Sequence, residues 1–433
     1  MKEYWNEKFE CISLKEMEDF QLQCLQKTVE RVYNRVPFYK KKLDEKRIKP
    51  EDIKSLEDLK KLPFTVKTDL RDNYPFGLCA AQMPDEIVRI HASSGTTGKP
   101  ITGPYTAGDM EQWIECMART LWSAGIRPND VVQNSYGMGL FTGGLGFLQG
   151  ADKIGCAVVP TGPGMTERQI MLMKDFGTTV LFSTPSYALT ISEKAKELGV
   201  DIKNLPLRIG AFGAEPWSDE MRQEIEERLG IKAHEAYGLT ELMGPGVAFS
   251  CSAYNLHINE DHILPEIIDP DTGEVQPLGT EGELVLTSLQ REAMPMIRYR
   301  TKDITTLHRE KCACGRTLIT MDRVRRRSDD MKIVNGVNIF PSQVESVIME
   351  SGKIEPFYQI ILRKKGYLDA MIVEVEAKKE ICDAGKEKME NIEKMLASRI
   401  KETIGIGAQV IVVPQNSLPR SEGKAKRLID ERS

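Results

Sequence analysis

The sequence predicts an α/β fold: a large N-terminal domain of parallel βαβ layers with a small β-rich subdomain, then an α+β C-terminal domain. Three observations carry this. From about residue 87, short β-branched runs alternate with segments of helical period, the pattern of βαβ units on a parallel sheet. Around 263–308 the runs are joined instead by turns such as Asp-Pro-Asp-Thr-Gly at 269–273, which reads as a mostly antiparallel unit. After a densely charged stretch from Asp322 to Asp330, the remaining chain mixes strands and helices over a length typical of a separate domain.

The elements follow in order. Residues 14–48 carry Phe20, Leu22, Leu25, Val29 and Val32 at helical spacing and predict an amphipathic helix. Pro63 to Asn73 reads as a loop entering a helix, with Thr68 or Asp69 as caps. Strands are predicted at Ile87–Ile90, Val131–Gln133, Ala157–Val159, Val180–Phe182 and Arg208–Phe212, and helices at 109–124, 166–176, 186–199 and 218–229. In the β-rich stretch, Glu266–Ile268, Gly282–Leu286 and Ile304–Leu307 are short strands. Beyond it, Val344–Met349 is helical, Tyr358–Leu362 and Ala370–Val375 are strands, 383–403 is a helix, and Gln409–Val413 is a strand.

Composition narrows the class. The chain has 433 residues, and its Lys+Arg count of 59 against Asp+Glu 64 gives a net charge of −5. That balance argues against a general nucleic-acid binder. Nine cysteines, mostly isolated, read as reduced thiols of a cytoplasmic protein rather than a disulfide framework. The opening residues are charged and lack the apolar stretch of a signal peptide. The longest uncharged run, Val131 to Ala151, holds six glycines with Gln133, Asn134 and Gln149, which suits a buried Gly-rich loop and helix start, not a membrane span.

Residues 91–100 read His-Ala-Ser-Ser-Gly-Thr-Thr-Gly-Lys-Pro. Small residues let a backbone approach phosphate closely, and successive N–H groups form an anion nest. The hydroxyls of Ser93, Ser94, Thr96 and Thr97 add donors, and Lys99 adds charge. The spacing of Gly95 and Gly98 is not that of a Walker loop, which needs Gly-x-x-x-x-Gly-Lys-Ser/Thr. Taken alone, the stretch is also compatible with an ordinary polar turn.

The run from Ser93 to Pro100 resembles the signature loop of the acyl-adenylate-forming enzymes, which activate a carboxylic acid with ATP and commonly pass the acyl group to coenzyme A. Further stretches match that family in chain order. Gly213-Ala214-Glu215-Pro216 resembles its segment along the adenine, and Tyr237-Gly238-Leu239-Thr240-Glu241 its Tyr-Gly-x-Thr-Glu motif. Tyr299-Arg300-Thr301-Lys302-Asp303 resembles Tyr-Arg-Thr-Gly-Asp, with Lys302 where glycine is usual. Arg327-Ser328-Asp329-Asp330-Met331-Lys332 resembles the hinge motif, with Arg326 in place of a glycine and Lys332 and Ile333 in place of Ile and Lys. Pro419-Arg420-Ser421-Glu422-Gly423-Lys424 resembles the C-terminal lysine motif, one residue shorter. Within the superfamily, Ser135 to Gly144 and Gly336 to Pro341 resemble the phenylacetate–CoA ligase family.

The resemblance implies an AMP-forming ligase that joins an aryl acid to coenzyme A. It implies domains at 1–328 and 329–433, the second a mobile lid, with the β-rich subdomain at about 250–320. Ser93, Ser94, Gly95, Thr96, Thr97, Gly98 and Lys99 would clamp the phosphates. Gly213, Ala214, Glu215, Pro216, Glu235, Ala236, Tyr237 and Gly238 would line the adenine, and Asp303 and Arg327 would hold ribose or phosphate. Thr240, Glu241 and Lys424 would be catalytic, with Glu241 also a Mg²⁺ ligand, and Asp329 would be the hinge. Tyr136, Phe141, Gly143 and Gly144 would take the acid. A homodimer is also implied. Indole-, hydroxyphenyl- and benzoyl-type acids stay open as substrates. So do two other functions, adenylylation of a deazaflavin-type cofactor and non-catalytic nucleotide binding.

Cys312-Ala313-Cys314 is the one close cysteine pair, and Cys251 and His257 lie six apart upstream. Four N/S ligands suit a closed, structural Zn²⁺ site. His262 and His308 are further candidates, and two thiols beside unrelated histidines is the plainer alternative.

Overall fold

In the computed structural model, which describes residues 2–93, 100–324, 326–335, 337–365, 368–423 and 425–432, the alternating runs become one twelve-stranded sheet. Ser94, Gly95, Thr96, Thr97, Gly98, Lys99 and Lys424 lie outside the described residues, as do Arg325 and Gly336. The parallel half runs in the order Ala157–Val159, Val131–Asn134, Val180–Ser183, Ile209–Gly213 and Lys232–Leu239. Helices Thr142–Ile154, Thr166–Asp175, Pro185–Glu197 and Asp219–Leu229 make the crossovers. Strands buried on both faces need such covering helices, and Val180–Ser183 and Ile209–Gly213 are buried at every residue. Parallel strands bring their carboxyl ends to one edge, where open α/β sheets bind ligands. Tyr136, Thr184, Gly213 and Tyr237 all lie at or just after those ends.

The antiparallel stretch extends the same sheet. From Lys232–Leu239 the order continues through Gly244–Ser250, Leu256–Ile258, Thr320–Met321, Tyr299–His308, Glu281–Ser288 and Ile263–Ile268. Continuity depends on the ten-residue strand Tyr299–His308. It pairs with Glu281–Ser288 along much of its length and with Thr320–Met321 at its far end.

Three sequence expectations need correction. The run at 87–90 becomes a strand at Arg89–Ala92, and it pairs antiparallel with Thr102–Tyr105 outside the large sheet. The connection between these strands is too short for the dozen or more residues that a parallel crossover needs. The single helix expected over 14–48 is two, Leu14–Arg35 and Pro37–Glu45. Val36 is extended at φ −120°, as a residue before proline prefers, and Pro37 opens the second helix where its missing N–H costs nothing. Thr68 and Asp69 lie inside the helix Lys67–Asp72 and the cap position is Val66, whose N–H donates to the carboxylate of Asp69, the third helical residue, at 2.9 Å.

Residues after 340 build a second sheet in the order Gln409–Val413, Leu368–Ala377, Ile354–Lys365 and Leu428–Asp430. Helices Pro341–Glu350 and Lys386–Ile404 pack on it through their own core of Val344, Ile348, Ile360, Val373, Leu396 and Ile400. The short strand at 428–430 and a hairpin of Lys332–Val334 with Val337–Ile339 were not legible in the sequence pattern. No helix among the described residues is long and apolar enough to cross a membrane.

One buried ion pair ties the helix Ala107–Ser123 to the antiparallel half. Arg119, fully buried, donates to both Asp261 oxygens at 2.8 Å and to Asn259 Oδ1 at 2.7 Å. Burial alone would raise the Asp261 carboxyl, but Arg119 holds it down at about 2. Removing one member strands the other's charge in the core. We expect Asp261→Asn to cost about 3–5 kcal/mol in denaturant unfolding, the usual penalty for breaking a buried pair. A loss below about 1 kcal/mol would mean the site relaxes to admit water.

Candidate active site

The site begins where a carboxylate is buried between partners from two other segments. Asp303 lies in Tyr299–His308 and is 3% exposed. The Tyr237 hydroxyl, from Lys232–Leu239, donates to its Oδ2 at 2.5 Å. Arg327 pairs with Asp303 in the ladder and donates to its Oδ1 at 2.8 Å. The same guanidinium reaches Asp329 at 2.9 and 3.2 Å. Burial raises the Asp303 carboxyl to about 6, against the opposing pull of Arg327. Burial and Asp303 together push the Tyr237 phenol well above its ordinary value. Perturbed carboxyls of this kind also occur in structural ion-pair networks, so the shift makes Asp303 a candidate site residue.

Backbone conformation explains a glycine of the resembled motif. Lys302 adopts φ +68°, a region that favours glycine. Here the lysine is held there by Glu283, which accepts from its N–H at 3.3 Å and from its Nζ at 3.4 Å. Ala214 is likewise left-handed at φ +73°, in the turn after Ile209–Gly213. Strain of this kind clusters at ligand clamps.

Glu241 is buried just beyond Tyr237. Its Oε1 accepts from the Tyr299 hydroxyl at 3.3 Å and lies 3.7 Å from Lys67 Nζ. Thr240 packs at the glycine-loop hairpin, its carbonyl oxygen 3.2 Å from where a Cβ on Gly103 would stand. Ser93 closes the mouth of the glycine-rich loop: its N–H donates to the Ile101 carbonyl at 2.8 Å, and its Oγ accepts from the Ile101 N–H at 2.9 Å. The loop thus joins two antiparallel strands and does not open a helix.

Gly213 pairs with Ala236 across the parallel ladder, and a Cβ there would stand 2.4 Å from the Ala236 carbonyl oxygen. Glu215, one residue past Ala214, accepts from the Ser186 N–H at 2.7 Å and from the Ala425 N–H at 2.9 Å. The Thr184 hydroxyl donates to the Gly423 carbonyl at 3.1 Å. Both neighbours of residue 424 are therefore fixed on the strand-end face. Glu235 behaves differently. It lies 3.4 Å from Arg323, and burial lifts its carboxyl to about 7.

Among the residues expected to hold the acid, Tyr136 is buried and stacked on Phe147 at 4.8 Å, and among the described residues its hydroxyl meets no partner at hydrogen-bond distance. Phe141 is 49% exposed at the start of the helix Thr142–Ile154. Among the described residues nothing stands within 4 Å of a Cβ on Gly143, whereas a Cβ on Gly144 would stand 2.4 Å from the Gly137 carbonyl oxygen. Gly144 thus serves close helix–loop packing. Sequence reasoning missed Lys67, Thr184, Ser186 and Tyr299. Only Tyr299 carried a signal, as the first residue of the motif that ends in Asp303.

The four sequence-predicted metal ligands converge. One donor atom each of Cys251, His257, Cys312 and Cys314 lies within 4.8 Å of all the others. Cys251 and Cys312 sulfurs are 3.6 Å apart, and Cys314 Sγ is 3.3 Å from His257 Nε2. His257 Nδ1 faces the Leu318 carbonyl at 3.2 Å, which directs its other nitrogen to the sulfurs. His262 and His308 stay apart, beside Asp261 at 3.4 Å and Asp322 at 3.1 Å.

Comparison with known proteins agrees with this geometry. The AMP-binding enzyme model matches residues 19–291, and the AMP-binding enzyme C-terminal domain model matches 336–432. A phenylacetate-coenzyme A ligase of Thermus thermophilus is 45% identical, over 94% of this chain and 95% of its own. One of Escherichia coli is also 45% identical, over 98% and 97%. A solved 2-hydroxyisobutyryl-CoA ligase in its postadenylation state, 28% identical, superposes with TM-score 0.93 over 100% of this chain and 93% of that one. The same enzyme in its thioesterification state, over the same shares, gives 0.73. The chain belongs to the AMP-binding enzyme family, in its phenylacetate-coenzyme A ligase branch.

Proposed function

We propose that this ligase activates phenylacetate with ATP as an acyl-adenylate and transfers the acyl group to coenzyme A, releasing pyrophosphate and AMP. The observation that carries the site assignment is the docking of Gly423 and Ala425 on Thr184 and Glu215, at the strand ends beside Asp303. In the first step a carboxylate oxygen attacks the α-phosphorus and pyrophosphate leaves. Two anions must meet, so the site must neutralise charge and hold them in line. Asp303 accepts the ribose hydroxyls and Arg327 steadies it, while Tyr237 and the 213–216 turn frame the adenine. The Tyr136 hydroxyl and Gly143 bound the ring of the acid. The glycine-rich loop from Ser93 to Lys99 takes the β- and γ-phosphates, and Lys424 the charge between carboxylate and α-phosphate. In the second step a thiolate attacks the acyl carbon and AMP leaves. Rotation of residues 329–433 about Asp329 would withdraw Lys424 and admit the thiol.

A Mg²⁺ would be held by Glu241 with Thr240 nearby, where it would neutralise phosphate charge. Zn²⁺ fits the Cys251, His257, Cys312 and Cys314 cluster on geometry. Tetrahedral arms of ~2.3 Å give edges of ~3.8 Å, close to the separations present. Four protein donors leave no open position, so the role is structural. Nine free cysteines support a cytoplasmic location.

Three measurements test these assignments. ATP–pyrophosphate exchange should depend on an aryl acid, with phenylacetate the best of a panel, and thioester should form when coenzyme A is added. Exchange without thioester would point to another acceptor, and no exchange with any acid would end the ligase reading. For Asp303, the free carboxyl titrates near 6, so below that pH a proton must leave before ribose can bind to the carboxylate. The ATP dissociation constant should rise about tenfold for each pH unit below that value. Asp303→Asn should bind more weakly at neutral pH and show a flat profile, whereas an unchanged slope would remove Asp303 from the ribose site. Metal analysis of protein purified without chelator should find near one zinc per chain. Less than about one-tenth would exclude a structural role, because such sites are near fully occupied.

A further inference from the structure

The contacts that hold the C-terminal sheet against the large sheet are mostly charged, and one guanidinium serves both sides. Arg420 lies three residues before Gly423. On the C-terminal side it donates to both oxygens of Glu376 at 2.7 Å, and Glu376, in the strand Leu368–Ala377, is fully buried. On the other side it donates to both oxygens of Glu193 at 2.6 and 2.8 Å, on the helix Pro185–Glu197. Its Cζ lies 3.6 Å from the centre of the Phe357 ring. Phe357 belongs by chain to the C-terminal sheet, yet it packs in the core of Trp217, Met221 and Ile225.

The two carboxylates are not equivalent. Glu376 also accepts from the Asn416 and Leu418 N–H groups at 3.1 and 2.7 Å, so all its partners lie in the C-terminal unit. Glu193 contributes a charge from the opposite unit. If the units part, Arg420 keeps Glu376 and loses Glu193 alone. The desolvated cation is then never stranded, which keeps separation reversible. Fork-to-fork pairing also fixes direction, because two parallel N–H···O bonds tolerate little rotation.

We propose that Arg420 is a positioning residue for the adenylation half-reaction. Bridging Glu193 to Glu376, it fixes the 421–425 loop on Thr184 and Glu215, and the Glu193 arm is the one released before thioester formation. This rests on the two-step ligase reading, and it adds the residues that set which arrangement prevails.

Glu193→Gln tests it, since the variant removes the cross-unit charge and leaves the Arg420–Glu376 pair intact. Acid-dependent ATP–pyrophosphate exchange should fall ~5- to 10-fold, a coupling typical between two conformational states. Thioester formation from supplied acyl-adenylate and coenzyme A should change less than about twofold. Equal losses in both half-reactions, or no loss in either, would overturn the proposal. Hydrogen exchange of the 418–427 backbone is a readout independent of the substrate. It should be faster in Glu193→Gln than in the unaltered chain, and equal exchange would overturn the proposal even if no acid supports turnover. If the unaltered chain catalyses no exchange with any acid while the variant's loop exchanges faster, the ligase reading fails and the clamp stands.

Discussion

Asp303 is the group on which the geometry of the strand-end cleft depends. A carboxylate that is 3% exposed needs donors, and the fold supplies them from places far apart in sequence. Tyr237 comes from the last parallel strand, and Arg327 from the segment that leads into the C-terminal sheet. The same contact therefore joins the nucleotide face to the chain's exit. Its cost is visible in the carboxyl held at about 6, since burial here outweighs the guanidinium. A purely structural pair, such as Arg119 with Asp261, goes the other way and holds its acid at about 2. Both acids are buried beside an arginine. The difference follows from the donors: Asp261 takes two guanidinium bonds from Arg119, whereas Asp303 takes one from an Arg327 that also serves Asp329.

The continuous sheet explains how distant motifs reach that acid. The motif at 237–241 ends a parallel strand, and the motif at 299–303 opens an antiparallel one. Between them the path runs through Gly244–Ser250, Leu256–Ile258 and Thr320–Met321. From Leu256–Ile258 the chain passes to the sheet edge at Ile263–Ile268 and returns through the antiparallel strand Glu281–Ser288 to Tyr299–His308, so it reaches the site without a crossover helix. The Cys251–His257–Cys312–Cys314 cluster lies at this turning region, beside two of the shortest strands. Two- and three-residue strands contribute few ladder bonds, which is where a staple adds most.

Much of this was legible in the sequence because it is local. Alternation gave four of the five parallel strands to within a few residues but not Lys232–Leu239, and Cys-x-Cys with Cys251 and His257 gave the cluster. What was not legible depends on pairing partners. The strand near residue 89 has the right composition for a parallel sheet, but the short distance to Thr102–Tyr105 decides its partner. The helix break at Val36 turns on Pro37, which periodicity overrode. Thr184, Ser186 and Glu193 are ordinary helix-start and helix-surface residues in sequence, and they gain meaning only from what faces them. Gly144 stood out as room for a ring, yet its neighbour is a backbone carbonyl.

The contact between the two sheets combines oriented charge pairs with the apolar seat of Phe357. An apolar interface of the same extent would be stable but indifferent to small rotations, whereas bidentate charge pairs are stable in few orientations. Three arginines follow one pattern. Arg420 joins Glu376 and Glu193, and Arg427 joins Glu345 and Tyr358 within its own unit and Ser186 in the other. Arg228 joins Glu224 within its own helix and Glu355 across the contact. Each has a carboxylate partner within its own unit besides the partner across the contact. A related ligase has been solved in two states that match this chain with TM-scores of 0.93 and 0.73. The dual partners of Arg420, Arg427 and Arg228 fix one orientation of the C-terminal sheet, and the chain so arranged resembles the postadenylation structure more than the thioesterification one.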